Sequence, residues 1–273
     1  MRTIPKARLA QVGRNCLGTL VAFLIGLILL GGMPSAVAAE ERHEAVGRQG
    51  MVVSVSAAAT EVGVRILRRG GNAVDAAVAT AFALAVTHPA AGNIGGGGFM
   101  LIAPPGEGPI VVDYRETAPA AASTDMYRNQ RSPFGHRVVG VPGTVRGLAL
   151  AHQRFGKLPW RDVVQPAVTL ASEGFVLEPW TARSLNELVR QSGDFPELVR
   201  VLGKDEGRGT WVAGDRLRQP DLARTLQRIA DEGPEAFYTG SIAEQIVAEM
   251  TAGQGLITAE DLKKYQAKWR RAI

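Results

Sequence analysis

Four consecutive glycines, Gly95-Gly96-Gly97-Gly98, run straight into the apolar stretch Phe99-Met100-Leu101-Ile102. A run with no side chains at the mouth of a strand lets another backbone, or a small molecule, lie directly against it. Its amides can also cradle an anion. The plain structural alternative is a turn packed beneath a neighbour. After Pro105-Gly106, a second apolar run follows in Pro109-Ile110-Val111-Val112-Asp113-Tyr114. The pattern predicts two adjacent antiparallel strands, buried on both faces and joined by a hairpin loop. Arg115-Glu116 stands at the exit of the second strand, ahead of Thr117-Ala118-Pro119.

Around this pair the punctuation is clear. Gly50-Met51-Val52-Val53-Ser54-Val55-Ser56 reads as a short strand. Residues 58–69 have Val62, Ile66 and Leu67 at helical spacing, and Gly70-Gly71 supply a stop. Asn72, with Asp75 three residues on, reads as an N-cap in the manner of a capping box. The alanine-rich helix that follows reaches about Val86, before Pro89, and its small side chains suit packing against something flat such as a sheet. A short strand from Val138 and then Pro142-Gly143 introduce a helix to about Phe155. Residues 159–250 read as mostly helical, within a helical stretch that extends over 143–265. Thr258-Ala259-Glu260-Asp261 caps a last short helix, and Ala267-Lys268-Trp269-Arg270 opens a strand just before Ile273. A strand begun so near the last residue reads as a chain cut short.

The 46% apolar and 21% charged content is that of a globular chain, and one cysteine among 273 residues excludes a disulfide framework or a Cys-rich zinc site. Most of the formal charge of +5 belongs to the first 39 residues, which carry Arg2, Lys6, Arg8 and Arg14 and no acid. The near-neutral remainder argues against a nucleic-acid partner. That basic start leads into an apolar run over 16–32 and then Ala36-Val37-Ala38-Ala39, the pattern of a signal peptide cleaved near Ala38-Ala39. The alternative is an uncleaved N-terminal anchor. Either way the body, residues 40–273, is expected to be exported, to the periplasm or beyond.

Several chemistries are absent. No G-x-x-x-x-G-K-[ST], G-x-G-x-x-G, H-E-x-x-H or G-x-S-x-G pattern occurs, and His43, His88, His136 and His152 lie far apart. These histidines read as surface or internally satisfied residues. No cofactor or metal is expected. Arg115 is the better candidate: an arginine at a strand exit can grip a carboxylate at two points. A salt bridge to Asp113 or Glu116 is the structural alternative.

Gly92-Asn93-Ile94-Gly95-Gly96-Gly97-Gly98-Phe99-Met100 and Asp113-Tyr114-Arg115-Glu116-Thr117-Ala118-Pro119 together resemble the large-subunit signature of the γ-glutamyltranspeptidases. The likeness extends over about residues 45–271. It includes the segments beginning Gly70-Gly71-Asn72, Val141-Pro142-Gly143, Leu222-Ala223-Arg224, Gly233-Pro234-Glu235 and Glu260-Asp261-Leu262. The resemblance implies an α/β (α+β) enzyme of the N-terminal-nucleophile hydrolase class with a four-layer αββα sandwich. Such enzymes cut their own precursor to expose a threonine, which attacks the γ-glutamyl amide of glutathione and passes the acyl group to water or to an amino acid or peptide. In that scheme Arg115 holds the substrate α-carboxylate, with Gly95, Gly96, Gly97, Gly98 and Glu116 as neighbours.

The Thr-Thr-His-type segment that carries the nucleophile in this family does not occur in residues 1–273, and Gly143-Thr144 and Gly209-Thr210 are poor substitutes. The expectation is therefore a partial large subunit with an incomplete sandwich, inactive without a small subunit that bears the threonine and prone to expose apolar sheet. Family relatives that act as cephalosporin acylases or capsule-anchoring transpeptidases offer other substrates. A non-catalytic exported γ-glutamyl-binding protein is the alternative outside enzymology.

Overall fold

The helices are set by their caps. Ser56 opens α1 (Ala57–Arg68), its side chain accepting from the Ala59 amide. The helix ends in a Schellman pair: Gly70, at φ +88°, donates to the Leu67 carbonyl and Gly71 to that of Ile66. Asn72 then caps α2 (Ala73–Thr87), and the reciprocal bond from the Asn72 amide to Asp75 completes the capping box. The computed structural model describes residues 45–128 and 134–272, so the basic apolar leader, His43 and the cleavage motif lie outside the described residues. Contacts gather Arg48–Ile273 into one unit.

The rest of the order is β1 (Phe99–Ile102), β2 (Ile110–Asp113), a 3₁₀ turn at His136–Val138, α3 (Thr144–Phe155), α4 (Trp160–Glu173), β3 (Phe175–Val176), α5 (Pro179–Gln191) and α6 (Pro196–Leu202). There follow β4 (Arg216–Leu217), α7 (Pro220–Glu232), α8 (Glu235–Tyr238), α9 (Gly240–Ala252), α10 (Ala259–Lys264) and β5 (Lys268–Arg271). The mostly helical reading of 159–250 holds. Thr258 caps α10 in a second capping box with Asp261.

Helix α2 is buried nearly all round and packs against α1, α3 and α4. The expectation of a sheet against its alanines is therefore corrected: small side chains here let helices approach one another. Gly63 of α1 shows how closely, since a Cβ there would stand 2.4 Å from Thr80 Oγ1 on α2. Phe82 meets Trp160 edge to face at 5.6 Å, and the Trp160 indole donates to the Ile229 carbonyl, drawing α7 onto the same core. Asp75 is fully buried beneath this layer. Besides capping α2, it accepts from the Lys157 amide at 3.0 Å and the Leu158 amide at 3.3 Å, which ties down the turn between α3 and α4.

The sheet has the order β1-β2-β5, both pairs antiparallel. The hairpin is the one anticipated, but it is buried on one face only. Val112, Ile102 and Trp269 turn toward the helices, where Trp269 meets Phe155 of α3 edge to face. Phe99 and Leu101, on the opposite face, are 60% and 66% exposed because no described residue covers them. Two further expectations are corrected. Residues 50–56 are extended but pair with no strand: Val52 reaches the core while Val53 and Val55 face outward. The strand expected from Val138 is a 3₁₀ turn followed by a single bridge, Thr117 to Val141, because only that one position meets a neighbouring extended segment.

Between α10 and β5 sits Tyr265, 4% exposed and stacked on Tyr238 with the rings 8° from parallel. Burial, reinforced by the nearby charges of Asp113 and Glu116, pushes the Tyr265 hydroxyl up to about 12, and burial raises that of Tyr238 as well. Free tyrosine ionises near 10.

Two outcomes follow from this packing. Asp75→Ala removes a buried acceptor and strands three amides, so it should lower unfolding stability by about 3 kcal/mol, read as a shift in denaturant midpoint. The raised tyrosines contribute stability in full below about pH 10, which is lost as pH climbs toward 12. The unfolding free energy should therefore fall above pH 10 by up to about 1.4 kcal/mol per pH unit for each tyrosine, seen as a falling urea midpoint, and less steeply in Tyr265→Phe.

Candidate functional site

The glycine run is held from three sides. Helix α3 has no side-chain cap of its own. Its first amides, Gly143 and Thr144, donate instead to the Gly96 carbonyl at 2.7 and 3.0 Å. In this way the helix spends donors that would otherwise be orphaned at its N-terminus. Asn93 Oδ1 accepts from the Gly96 amide at 2.9 Å and from the Thr144 hydroxyl at 2.6 Å. On the third side, Gly98 exchanges backbone bonds with Tyr114 and so extends the β1–β2 ladder by one residue.

The glycines serve close approach. A Cβ on Gly97 would stand 2.5 Å from the Tyr114 carbonyl and 2.8 Å from the Glu116 amide, while one on Gly98 would strike the Tyr114 ring. Around Gly95, by contrast, no such neighbour lies within 4 Å. Of the two readings of the run, contact with another backbone is the one observed at Gly97 and Gly98. The amides of Gly96 and Gly98 are already engaged by Asn93 and Tyr114, which leaves little of an anion cradle. Tyr114 itself is wedged against Gly147 of α3, and burial raises its pKa.

Arg115 emerges from β2 beside this run. Its side chain is 63% exposed, and among the described residues its guanidinium meets only Glu116, Nε to Oε2 at 3.6 Å. That separation is beyond hydrogen-bonding range, and an exposed pair of this kind contributes at most a few tenths of a kcal/mol. Asp113, the other acid considered, is engaged elsewhere. Its Oδ1 accepts the Arg115 amide at 3.1 Å and its Oδ2 accepts from Arg270 of β5 at 3.1 Å. Glu116 Oε2 is buried against the glycines without a hydrogen-bond partner. The geometry therefore leaves an arginine fork facing outward at the strand exit, with no two-point partner among the described residues.

The carbonyl of Arg115 accepts from the Tyr265 hydroxyl at 2.9 Å. Arg146 of α3 in turn holds the segment around Tyr265. Its guanidinium donates to the carbonyls of Leu262, Lys263 and Tyr265, and its fork grips Glu235. Neither Tyr265, Arg146 nor Asn93 stood out in the sequence as a site residue. The first two lie far from Arg115 along the chain, and no spacing rule joins them to it.

The three described histidines gather at no common site. His136 meets Glu249 at 2.8 Å, and His152 meets the Leu158 carbonyl at 2.9 Å. His88 is half-buried and tilts against Trp180, and its Nδ1 has no hydrogen-bond partner among the described residues. Among the described residues no cluster of three His, Cys, Asp or Glu could hold a metal, and no helix is long and apolar enough to cross a membrane.

A family model described as gamma-glutamyltranspeptidase matches residues 59–273. The glutathione hydrolase proenzyme of Escherichia coli is 46% identical over 238 residues, covering 85% of this chain and 41% of that protein. Among solved structures, the gamma-glutamyltranspeptidase from Pseudomonas nitroreducens complexed with L-DON superposes with a TM-score of 0.76 at 44% identity, over 82% of this chain and 67% of that one. The Helicobacter pylori gamma-glutamyltranspeptidase gives 0.81 at 37% identity, over 84% and 68%. The chain spans about two fifths of the length of the curated relatives it matches. With its glycine run, its strand-exit arginine and its helical order all falling inside the matched region, the chain belongs to the γ-glutamyltranspeptidase family.

Proposed function

We propose that this chain is the large-subunit portion of an exported γ-glutamyltransferase, or glutathione hydrolase, and that Arg115 binds the α-carboxylate of the γ-glutamyl donor. The observation that carries the reading is the outward-facing Arg115 fork, fixed through its backbone and unpaired at two points by any described residue. A planar guanidinium suits a carboxylate, and an ammonium cannot reproduce the two-point contact.

In this reading the nucleophile is a threonine supplied by a small subunit, since residues 1–273 hold no Thr-Thr-His segment. Its hydroxyl attacks the γ-carbonyl carbon, its own α-amino group takes the proton, and the amide C–N bond breaks as the leaving amine is reprotonated. Water, or the amine of an amino acid or peptide, then attacks the γ-glutamyl ester and restores the threonine. Arg115 contributes by fixing the donor's far end, which holds the γ-carbonyl in place for attack. The small subunit would also cover the face of the β1-β2-β5 sheet that carries Phe99 and Leu101, completing an αββα sandwich. Residues 1–39 act as the export signal, cleaved near Ala38-Ala39 for a periplasmic or secreted destination.

Residues 1–273 by themselves should turn over no γ-glutamyl anilide, whereas the same chain joined to the nucleophile-bearing portion should. In that complete enzyme Arg115→Lys should raise the donor KM by about 10–100-fold while kcat changes by less than about threefold. An unchanged KM in steady-state assays would remove Arg115 from carboxylate binding. It would then favour a substrate without that group, such as a cephalosporin side chain.

A further inference from the structure

A side chain is aimed by its peptide, and the peptide of Arg115 is held on both sides by one segment of chain. On the carbonyl side the Tyr265 hydroxyl donates at 2.9 Å. On the amide side Asp113 accepts at 3.1 Å, and Asp113 is itself held by Arg270. Both holding residues, Tyr265 and Arg270, come from the short stretch that leads into and through β5.

Tyr265 has little freedom of its own. Arg146 donates to its carbonyl and to those of Leu262 and Lys263, the last carbonyls of α10. The same guanidinium grips Glu235 through Nε and Nη2, at 3.2 and 2.7 Å, and lies 4.0 Å over the Tyr238 ring on which Tyr265 stacks. One cation thus fixes three elements, with all three of its nitrogens engaged inside the protein. Gly143 completes the fit, because a Cβ there would stand 2.1 Å from the Tyr265 hydroxyl.

We propose that Tyr265 is a positioning residue for Arg115, braced by Arg146, and that the pair tunes donor affinity through the Arg115 peptide without touching substrate. The inference rests on the proposed role of Arg115. Tyr265 is well suited to the task because its hydroxyl reaches the Arg115 carbonyl while its ring supplies the packing. Phenylalanine keeps the ring and removes only the tether. Displacing a binding group by about 1 Å can cost up to about 100-fold. Loss of one of two backbone tethers should cost less than that.

The test uses the complete enzyme and two donors, γ-glutamyl-p-nitroanilide and its analogue 4-aminobutyryl-p-nitroanilide, which lacks the α-carboxylate. Tyr265→Phe should raise KM for the first about tenfold, leave kcat within about twofold, and leave kcat/KM for the analogue as in the wild type. Arg146→Met should move the same KM in the same direction, and Arg146→Lys should not restore it, since lysine lacks the fork. Arg115→Met serves as the reference. If it raises the γ-glutamyl KM while Tyr265→Phe does not, the positioning role is overturned and the Arg115 assignment stands. If Arg115→Met itself changes nothing, the assignment beneath the proposal fails. Equal loss on both donors in Tyr265→Phe would show a merely structural residue and would also overturn it.

Discussion

The site depends on two backbones lying closer together than side chains would allow. Gly97 and Gly98 press against residues 114–116: a Cβ on Gly97 would clash with the Tyr114 carbonyl and the Glu116 amide, and one on Gly98 would crowd the Tyr114 ring. This contact brings the end of β2 against the glycine loop, and so decides where Arg115 leaves the sheet. The loop is held in its turn by the first amides of α3, which take the Gly96 carbonyl as their cap. A substitution in the run would therefore act on several elements together, because strand, loop and helix share one point of closure.

Much of this was legible in the sequence. Asn72 with Asp75 and Thr258 with Asp261 announce two helix starts by chemistry alone, and both caps are present. The glycine run followed by two apolar stretches marks the hairpin. The failures share a cause. Local patterns name the apolar residues but not what stands opposite them. Alanines that suited a sheet pack on helices, Val53 and Val55 find no strand to join, and the hairpin is covered on one face only. Burial is a property of the partner as much as of the segment.

The same distinction separates the legible part of the site from the rest. Arg115 could be singled out because it follows an apolar strand at once. Its supports could not. Arg146 reads as one more basic residue on an amphipathic helix, and Tyr265 as the last apolar position of a short one. Only the fold shows that the guanidinium spans α3, α8 and the end of α10, and that the tyrosine hydroxyl ends on the peptide of Arg115.

The tether between Tyr265 and Arg115 joins residues 150 positions apart, and that between Arg270 and Asp113 spans 157. Contacts so distant along a chain close late, after the loop entropy between them has been overcome. Before they close, the helical layer around α2, built from nearer neighbours, can already be in place. Arg115 would then be among the last parts of this chain to acquire a fixed direction. Sequence separation thus increases from the helical scaffold to the site.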